Sequence, residues 1–269
     1  HHQPRRQRQM CIRDSGYAVI RFLPAPDGET VPWAKVYSHA FQGPGGWYIE
    51  NSLTTIGDKD PVGEVNRRLW NSGEDADKDT ARKQKRKLSY YSNIYVVKDP
   101  KHPENEGKVF LYKYGKKIHD KILAAMQPEF QDETPVNVFD LWEGANFKLK
   151  IKKVAGFWNY DSSEFDSISA LSADDTELEA TWKSEHSLEA FTAADQFKSY
   201  EDLEKRLNLV LGSAPRPTAP SVDSEEYEPV AAPQSDFRAK MSAPTPVKQE
   251  AVVEDDDALS YFASLASDD

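Results

Sequence analysis

Up to about residue 212, apolar and polar residues alternate in short runs separated by turn-forming residues. Residues 17–24, YAVIRFLP, predict a strand stopped by Pro24, Pro26 and the Asp27-Gly28 turn signal. Residues 33–41 and 47–53 predict a hairpin around Gly43-Pro44-Gly45-Gly46. A short helical pattern covers 62–70, and 71–79 reads as a polar loop. Residues 88–97 are rich in Tyr, Ile and Val, as strands are, and 109–114 form a second such run. There Phe110, Tyr112 and Tyr114 share one face, and Val109, Leu111 and Lys113 the other. Residues 116–126 are amphipathic, with Ile118, Ile122 and Met126 on one stripe.

The clearest alternation lies at 147–153, where Phe147, Leu149 and Ile151 point one way and Lys148, Lys150 and Lys152 the other. This predicts a strand with one packed face and a lysine ladder. Residues 154–163 follow, with three aromatics near Gly156. Residues 173–192 and 198–211 read as helices; Tyr200, Leu203, Leu207 and Leu211 recur at helical spacing in the second, and Gly212 is a stop signal. Short strands between loops, with a few helices, predict a mainly β (α+β) fold built on a small barrel.

Composition divides the chain into three. Residues 1–15 are arginine-rich, lack apolar periodicity and read as a non-native leader. Residues 16–212 form the expected binding core. Residues 213–269 hold seven prolines and a net charge of −8, and are expected to stay disordered. Near the end, Leu259, Phe262 and Leu265 stand among acids, a pattern suited to docking on a partner. Mean hydropathy is −0.73, and no apolar run is long enough to span a membrane. A single cysteine, Cys11, excludes an intramolecular disulfide framework.

Charge then points to function. The chain carries −11 overall, yet 82–121 carries +8 among Tyr90, Tyr91, Tyr95, Tyr112 and Tyr114. Cations track phosphates and rings stack on bases, so this combination suits single-stranded nucleic acid. Strand alternation sends about half of those tyrosines into the core. Catalysis is disfavoured. The acid pairs Asp58/Asp60, Asp161/Glu164 and Asp174/Asp175 lack a Lys or His spaced to complete a site, and no phosphate-binding loop or nucleophile motif occurs. His39 reads as a structural histidine.

The segments RFLPAPDGE, SHAF…GGWYIE, KRKLSYYSNIYVVKDP, PENEGKVFLYKYGKKI, WEGANFKLKIKKVAGFWNY and DQFKSYEDL together resemble the single-stranded DNA-binding (helix-destabilising) proteins of T-even-type bacteriophages. The resemblance covers about 17–212. It implies an OB-fold core with an electropositive cleft. It implies DNA contacts from Arg21, Lys85, Arg86, Tyr90, Tyr91, Tyr112, Phe157 and Tyr160. It implies roles in DNA replication, recombination and repair in the cytoplasm of an infected bacterium, with an acidic tail that recruits other phage proteins. It also implies a zinc held by one His and three Cys. His39 falls on the His position, but Ser52, Asp60 and Gly63 fall near the Cys positions, so no zinc or other cofactor is expected. The family's N-terminal self-association segment is replaced by 1–15, so cooperative binding through it is not expected. Two other readings of the residues stand beside this one: an RNA-binding module, and a replication scaffold acting mainly through the acidic tail.

Overall fold

The computed structural model describes residues 16–130 and 132–212. The readings of 1–15 and of the tail, including Leu259, Phe262 and Leu265, lie outside the described residues. Eight antiparallel strands form the framework: β1 Gly16–Phe22, β2 Ala34–Gly43, β3 Gly46–Asn51, β4 Lys87–Lys98, β5 Val109–Tyr114, β6 Ala145–Val154, β7 Phe157–Asn159 and β8 Glu164–Ile168. They run in the order β3-β2-β4-β1-β6-β7, with β5 on β4 and β8 on β6. Five helices complete the fold: α1 Pro61–Asn71, α2 Asp75–Gln84, α3 Lys116–Met126, α4 Asp175–Lys183 and α5 Tyr200–Leu211.

β4 is the hub. Its residues Lys87–Tyr91 pair with β2, Ile94–Lys98 pair with β1, and Tyr90–Tyr95 pair with β5 on the opposite edge. A strand that changes partner along one edge must twist, and a bulge between Val19 and Ile20 on β1 adds to that twist. Among the described strands β3, β5, β7 and β8 have one ladder partner each, so hydrogen bonds do not close the sheet into a ring.

Three readings change. The expected loop at 71–79 is largely helix, α2. Asp75 and Asp77 in its first turn and Arg82 and Lys83 in its last complement the helix dipole, and it rests on Ala81 and Gln84. The helix expected over 173–192 stops at Lys183. Beyond it the Glu29 carboxylate accepts from the Leu188 and Glu189 amides and from Ser187 Oγ, holding 185–192 as an irregular strap. β8 was not foreseen, because EFDSI leaves only Phe165 partly covered.

The main core fills the space between β1, β4, β5, β6 and α3, around Ile20, Phe22, Ile94, Phe147, Leu149 and Ile122. The Phe22 ring lies 5.7–6.4 Å from Tyr112, Tyr114, Phe139, Phe147 and Phe165. A satellite core joins the β2–β3 hairpin to α1 and α5 through Phe41, Tyr48, Val62, Leu203, Leu207 and Val210. The turn between β2 and β3 meets the end of α5 backbone to backbone: Gly45 N donates to Val210 O at 2.8 Å. A Cβ on Gly45 would overlap the Leu209 carbonyl oxygen, so only glycine allows that approach.

Asp60 organises the satellite core. It is 3 % exposed. Oδ1 accepts from the Val62 and Gly63 amides at the start of α1, and Oδ2 accepts from Ser52 Oγ and the Leu53 amide. His39 Nε2 stands 3.3 Å from Oδ1. Burial alone would raise this carboxyl's pKa, but the contacts from His39, Leu53 and Ser52 outweigh it and hold it below the usual range. Breaking a buried charge cluster of this kind costs about 3–5 kcal/mol, the loss expected in chemical denaturation of Asp60→Ala. The stabilisation is complete above the unfolded pKa of about 4 and is lost as pH falls through the lower folded value. Acid titration of melting temperature should therefore fall more steeply for the wild type than for Asp60→Asn, which carries no titrating group there. Parallel acid limbs would refute the assignment.

Candidate nucleic-acid interface

β5 leads into α3 through Gly115, and β7 faces this junction across a groove of about 460 Å³. Tyr112 and Tyr114 form its floor, Lys116 and Lys117 line one side, and Trp158 and Tyr160 line the other. Basic residues at a helix N-terminus oppose the helix dipole. α3 nevertheless opens on Lys116 and Lys117, with no acid in its first turn and no side-chain cap at Gly115. An anion placed there would answer both the lysines and the open backbone amides. At present Lys116 pairs with Asp120 at 3.0 Å and Lys117 with Asp161 at 3.4 Å, exposed pairs that a phosphate can displace.

The opposite wall is a hairpin. Ala155 and Gly156 have φ of 51° and 88°, and the register Lys152↔Asn159, Lys153↔Trp158, Val154↔Phe157 makes a two-residue turn. Successive positive φ values match the twist of the flanking strands, and the non-glycine Ala155 costs about 1–2 kcal/mol there. Strand alternation puts Phe157 on the other face of β7 from Trp158.

The residues singled out in the sequence do not form one cluster. Arg21 is buried, 0 % exposed. Its Nε donates to Asn146 Oδ1 at 3.0 Å, Nη1 to Asp140 O at 3.2 Å and Nη2 to Ser169 O at 2.5 Å. This guanidinium ties β1 to the segments around 140 and 169. Tyr90 belongs to the core at 7 % exposure, between His119 at 3.8 Å and Tyr114 at 5.7 Å. Burial lowers the His119 pKa, so the neutral imidazole stacks there. Tyr112 is 5 % exposed and offers the groove only a small part of its surface. Tyr91 takes the opposite face of β4, stacked on Phe191 at 4.2 Å with Lys113 Nζ at 5.5 Å.

Lys85 and Arg86 stand where α2 passes into β4, with the Arg86 guanidinium 4.1 Å from the Tyr37 ring centroid. Arg86 precedes the groove residue Ser89 by three positions, roughly 10 Å of extended chain. Phe157 is 39 % exposed but lies off the groove wall, whereas Tyr160 forms part of it. The lysine ladder is mostly paired: Lys148 meets Asp166 at 2.9 Å and Lys150 meets Glu164 at 2.6 Å, both acids from the unforeseen β8. Trp158 was missed as a site residue. Its signal was the alternation that places it with Tyr160.

Three of the paired acids have structural duties. Asp60 and Asp174 cap α1 and α4, and Asp175 accepts from Trp142 Nε1 at 2.9 Å. Nor do His39, Ser52, Asp60 and Gly63 fit a tetrahedral metal. His39 Nδ1 faces Gln84 O at 2.9 Å, both Asp60 oxygens accept hydrogen bonds, and Gly63 has no side chain to ligate. Among the described residues no group of three or more His, Cys, Asp or Glu is arranged to hold a metal ion, and no helix is long and apolar enough to cross a membrane.

A family model described as "gp32 DNA binding protein like" matches residues 14–211. The single-stranded DNA-binding protein of Enterobacteria phage T2 is 43 % identical over 220 residues, covering 81 % of this chain and 73 % of that protein. The protein of the same name from Enterobacteria phage T4 is 42 % identical over the same lengths. A shorter match, 50 % over 46 residues, covers 17 % of this chain and 41 % of a single-stranded DNA-binding protein from Escherichia phage SV14. The chain belongs to the gp32-like DNA-binding family.

Proposed function

We propose that this protein binds single-stranded DNA without strong sequence preference, in the groove between α3 and the β6–β7 hairpin. One observation carries the reading: Trp158 and Tyr160 stand across a single groove from Lys116 and Lys117 at the start of α3. Lysines there displace counterions from phosphates while the rings stack on unpaired bases. Duplex DNA hides its base faces, so preferential binding to single strands draws the melting equilibrium toward separation by mass action. The protein works by binding, not catalysis, in phage DNA replication, recombination and repair within the infected cell. The partner changes along β4 and β6 support an OB-type curl of the sheet. The acidic segment 213–269 recruits other phage proteins through Leu259, Phe262 and Leu265. The Asp60 cluster stands in for the family zinc, leaving the fold independent of metal.

Affinity for oligo-dT should fall with salt with a slope of roughly −0.7 per neutralised phosphate, and Lys117→Ala should make the slope shallower by about that amount. Arg86→Ala should weaken binding to all sequences alike. A salt-insensitive affinity would exclude the groove.

Tyr160→Ala should cost about 1–3 kcal/mol of binding while the protein stays folded. Tyr112→Ala should instead cost about 3–5 kcal/mol of stability, as a core aromatic does. Thermal melts run beside each titration separate the two; a folded Tyr160→Ala with unchanged affinity would remove that ring.

Elemental analysis should find no stoichiometric zinc, and chelators should leave the melting temperature unchanged. About one zinc per chain would overturn the metal-free reading.

Deleting 213–269 should tighten DNA binding most at low ionic strength, because the tethered acids compete with phosphate at a local concentration on the order of millimolar. The same deletion should abolish capture of replication proteins. Equal affinities at low salt would refute the competition.

A further inference from the structure

α3 carries a titratable ring inside its first turn. His119 follows Lys116 by three residues, which sets both on one side of the helix, and its amide donates to Gly115 O at 3.2 Å. The ring is 7 % exposed, and its Nδ1 has no hydrogen-bond partner among the described residues. It lies flat on Tyr90 at 3.8 Å, with an interplanar angle of 11°, and Trp33 meets it edge to face at 5.2 Å. Tyr90 stacks on Tyr114, and Tyr114 on Tyr112, each at 5.7 Å. The column that begins at His119 therefore ends as the floor of the groove. Charged groups reach the imidazole from two elements. Lys35 of β2 stands opposite Tyr90 in the ladder, and α3 itself brings Lys116 and Asp120. β4 and β5 face it with Tyr90 and Tyr114. Burial is the main cause that holds the imidazole below its usual pKa; Asp120 opposes it, and Lys35 and Lys116 add to it. The positive end of α3 acts in the same direction as the lysines. Lys116 and that helix end are also what draws an anion into the groove.

We propose that the groove takes up a proton at His119 as it takes up a nucleic-acid phosphate, so that protonation and DNA binding reinforce each other. The inference rests on the function proposed above and adds to it a regulation of that site. A phosphate at the start of α3 cancels the field of Lys116 and of the helix end, and so removes two of the influences that keep His119 neutral. The imidazolium that forms already has the Tyr90 ring beneath it, a face that attracts cations. Linkage is reciprocal: by whatever factor bound DNA favours the proton, the proton favours DNA. The complex holds more protons than the free chain. Affinity therefore rises as pH falls through the usual histidine range near about 6.5, and levels off below the pKa of the free chain. Above the pKa of the complex the gain is lost. Lysines alone cannot produce this profile, since they titrate near about 10 and stay charged throughout.

The test follows the full chain with and without oligo-dT between about pH 5 and 8. Proton NMR should show the His119 ring titrating at higher pH in the complex than in the free chain. Oligo-dT should bind about fivefold more tightly at the acid end, the lower end of ordinary coupling between sites. Calorimetry in two buffers of different ionisation enthalpy should register net proton uptake on binding. His119→Phe keeps a ring against Tyr90 and should lose both the acid gain and the uptake. His119→Gln should lose them as well, with a thermal melt to confirm that each variant is folded. Lys116→Ala removes one of the cations, so it should raise the His119 midpoint in the free chain and shrink the shift that oligo-dT produces. Should neither His119 variant fold, the His119 midpoint in the wild type decides. An unmoved midpoint in the complex, or the full acid gain in a folded His119→Phe, would overturn the inference. With salt-dependent oligo-dT binding intact, that result would leave the groove standing. Absence of such binding at every pH would overturn both.

Discussion

Every wall of the groove depends on how one strand, β4, is shared. Twelve residues serve β2 and β1 in succession on one edge and β5 on the other. The ladder to β5 sets the height of Tyr112 and Tyr114, and Gly115 turns the chain from that ladder into α3. The ladder to β1 passes the framework on to β6, whose last residues pair with β7 to make the opposing hairpin. A one-residue slip in β4 would exchange its two faces. It would turn the Tyr90 side outward and bury the Tyr91 side, which destroys the column of rings and the groove floor together.

That column explains why the tyrosines of the basic segment divide as they do. Adjacent residues in a strand point to opposite faces, so alternation alone requires Tyr90 and Tyr91 to part company. It does not tell which face is free, and here neither is. α3 closes one side through Ile118, His119 and Ile122. The strap at 185–192 covers the other, where Phe191 lies on Tyr91 and Leu188 meets Leu111 and Ala34. That strap is placed by Glu29, more than 150 residues away in the chain, a relation no local pattern carries.

The strands with strong alternation, 109–114 and 147–153, were legible in the sequence, as were the amphipathic helix at 116–126 and the glycine stop at 212, whose φ is 73°. What escaped was set by distant partners. Arg21 looks like a surface cation until Asn146, Asp140 and Ser169 are brought around it. Lys148 and Lys150 look like a bare ladder until Glu164 and Asp166 arrive on β8, a strand with too few apolar residues to announce itself. α2 was hidden by its polarity, although its acid-first, base-last order was a helix signal in plain view. Trp158 required the hairpin turn to be known before its direction could be assigned.

The docking of α5 has a mechanical meaning. The chain passes out of the described fold at Gly212, directly after the helix whose Leu203, Leu207 and Val210 are buried in the satellite core. Val210 is also bound backbone to backbone to Gly45 in the β2–β3 turn. Tension applied beyond Gly212 is therefore taken up first by α5 and the hairpin beneath it. The main core, with β5, α3 and the β6–β7 hairpin, is a separate cluster joined to the first through the β2–β4 ladder.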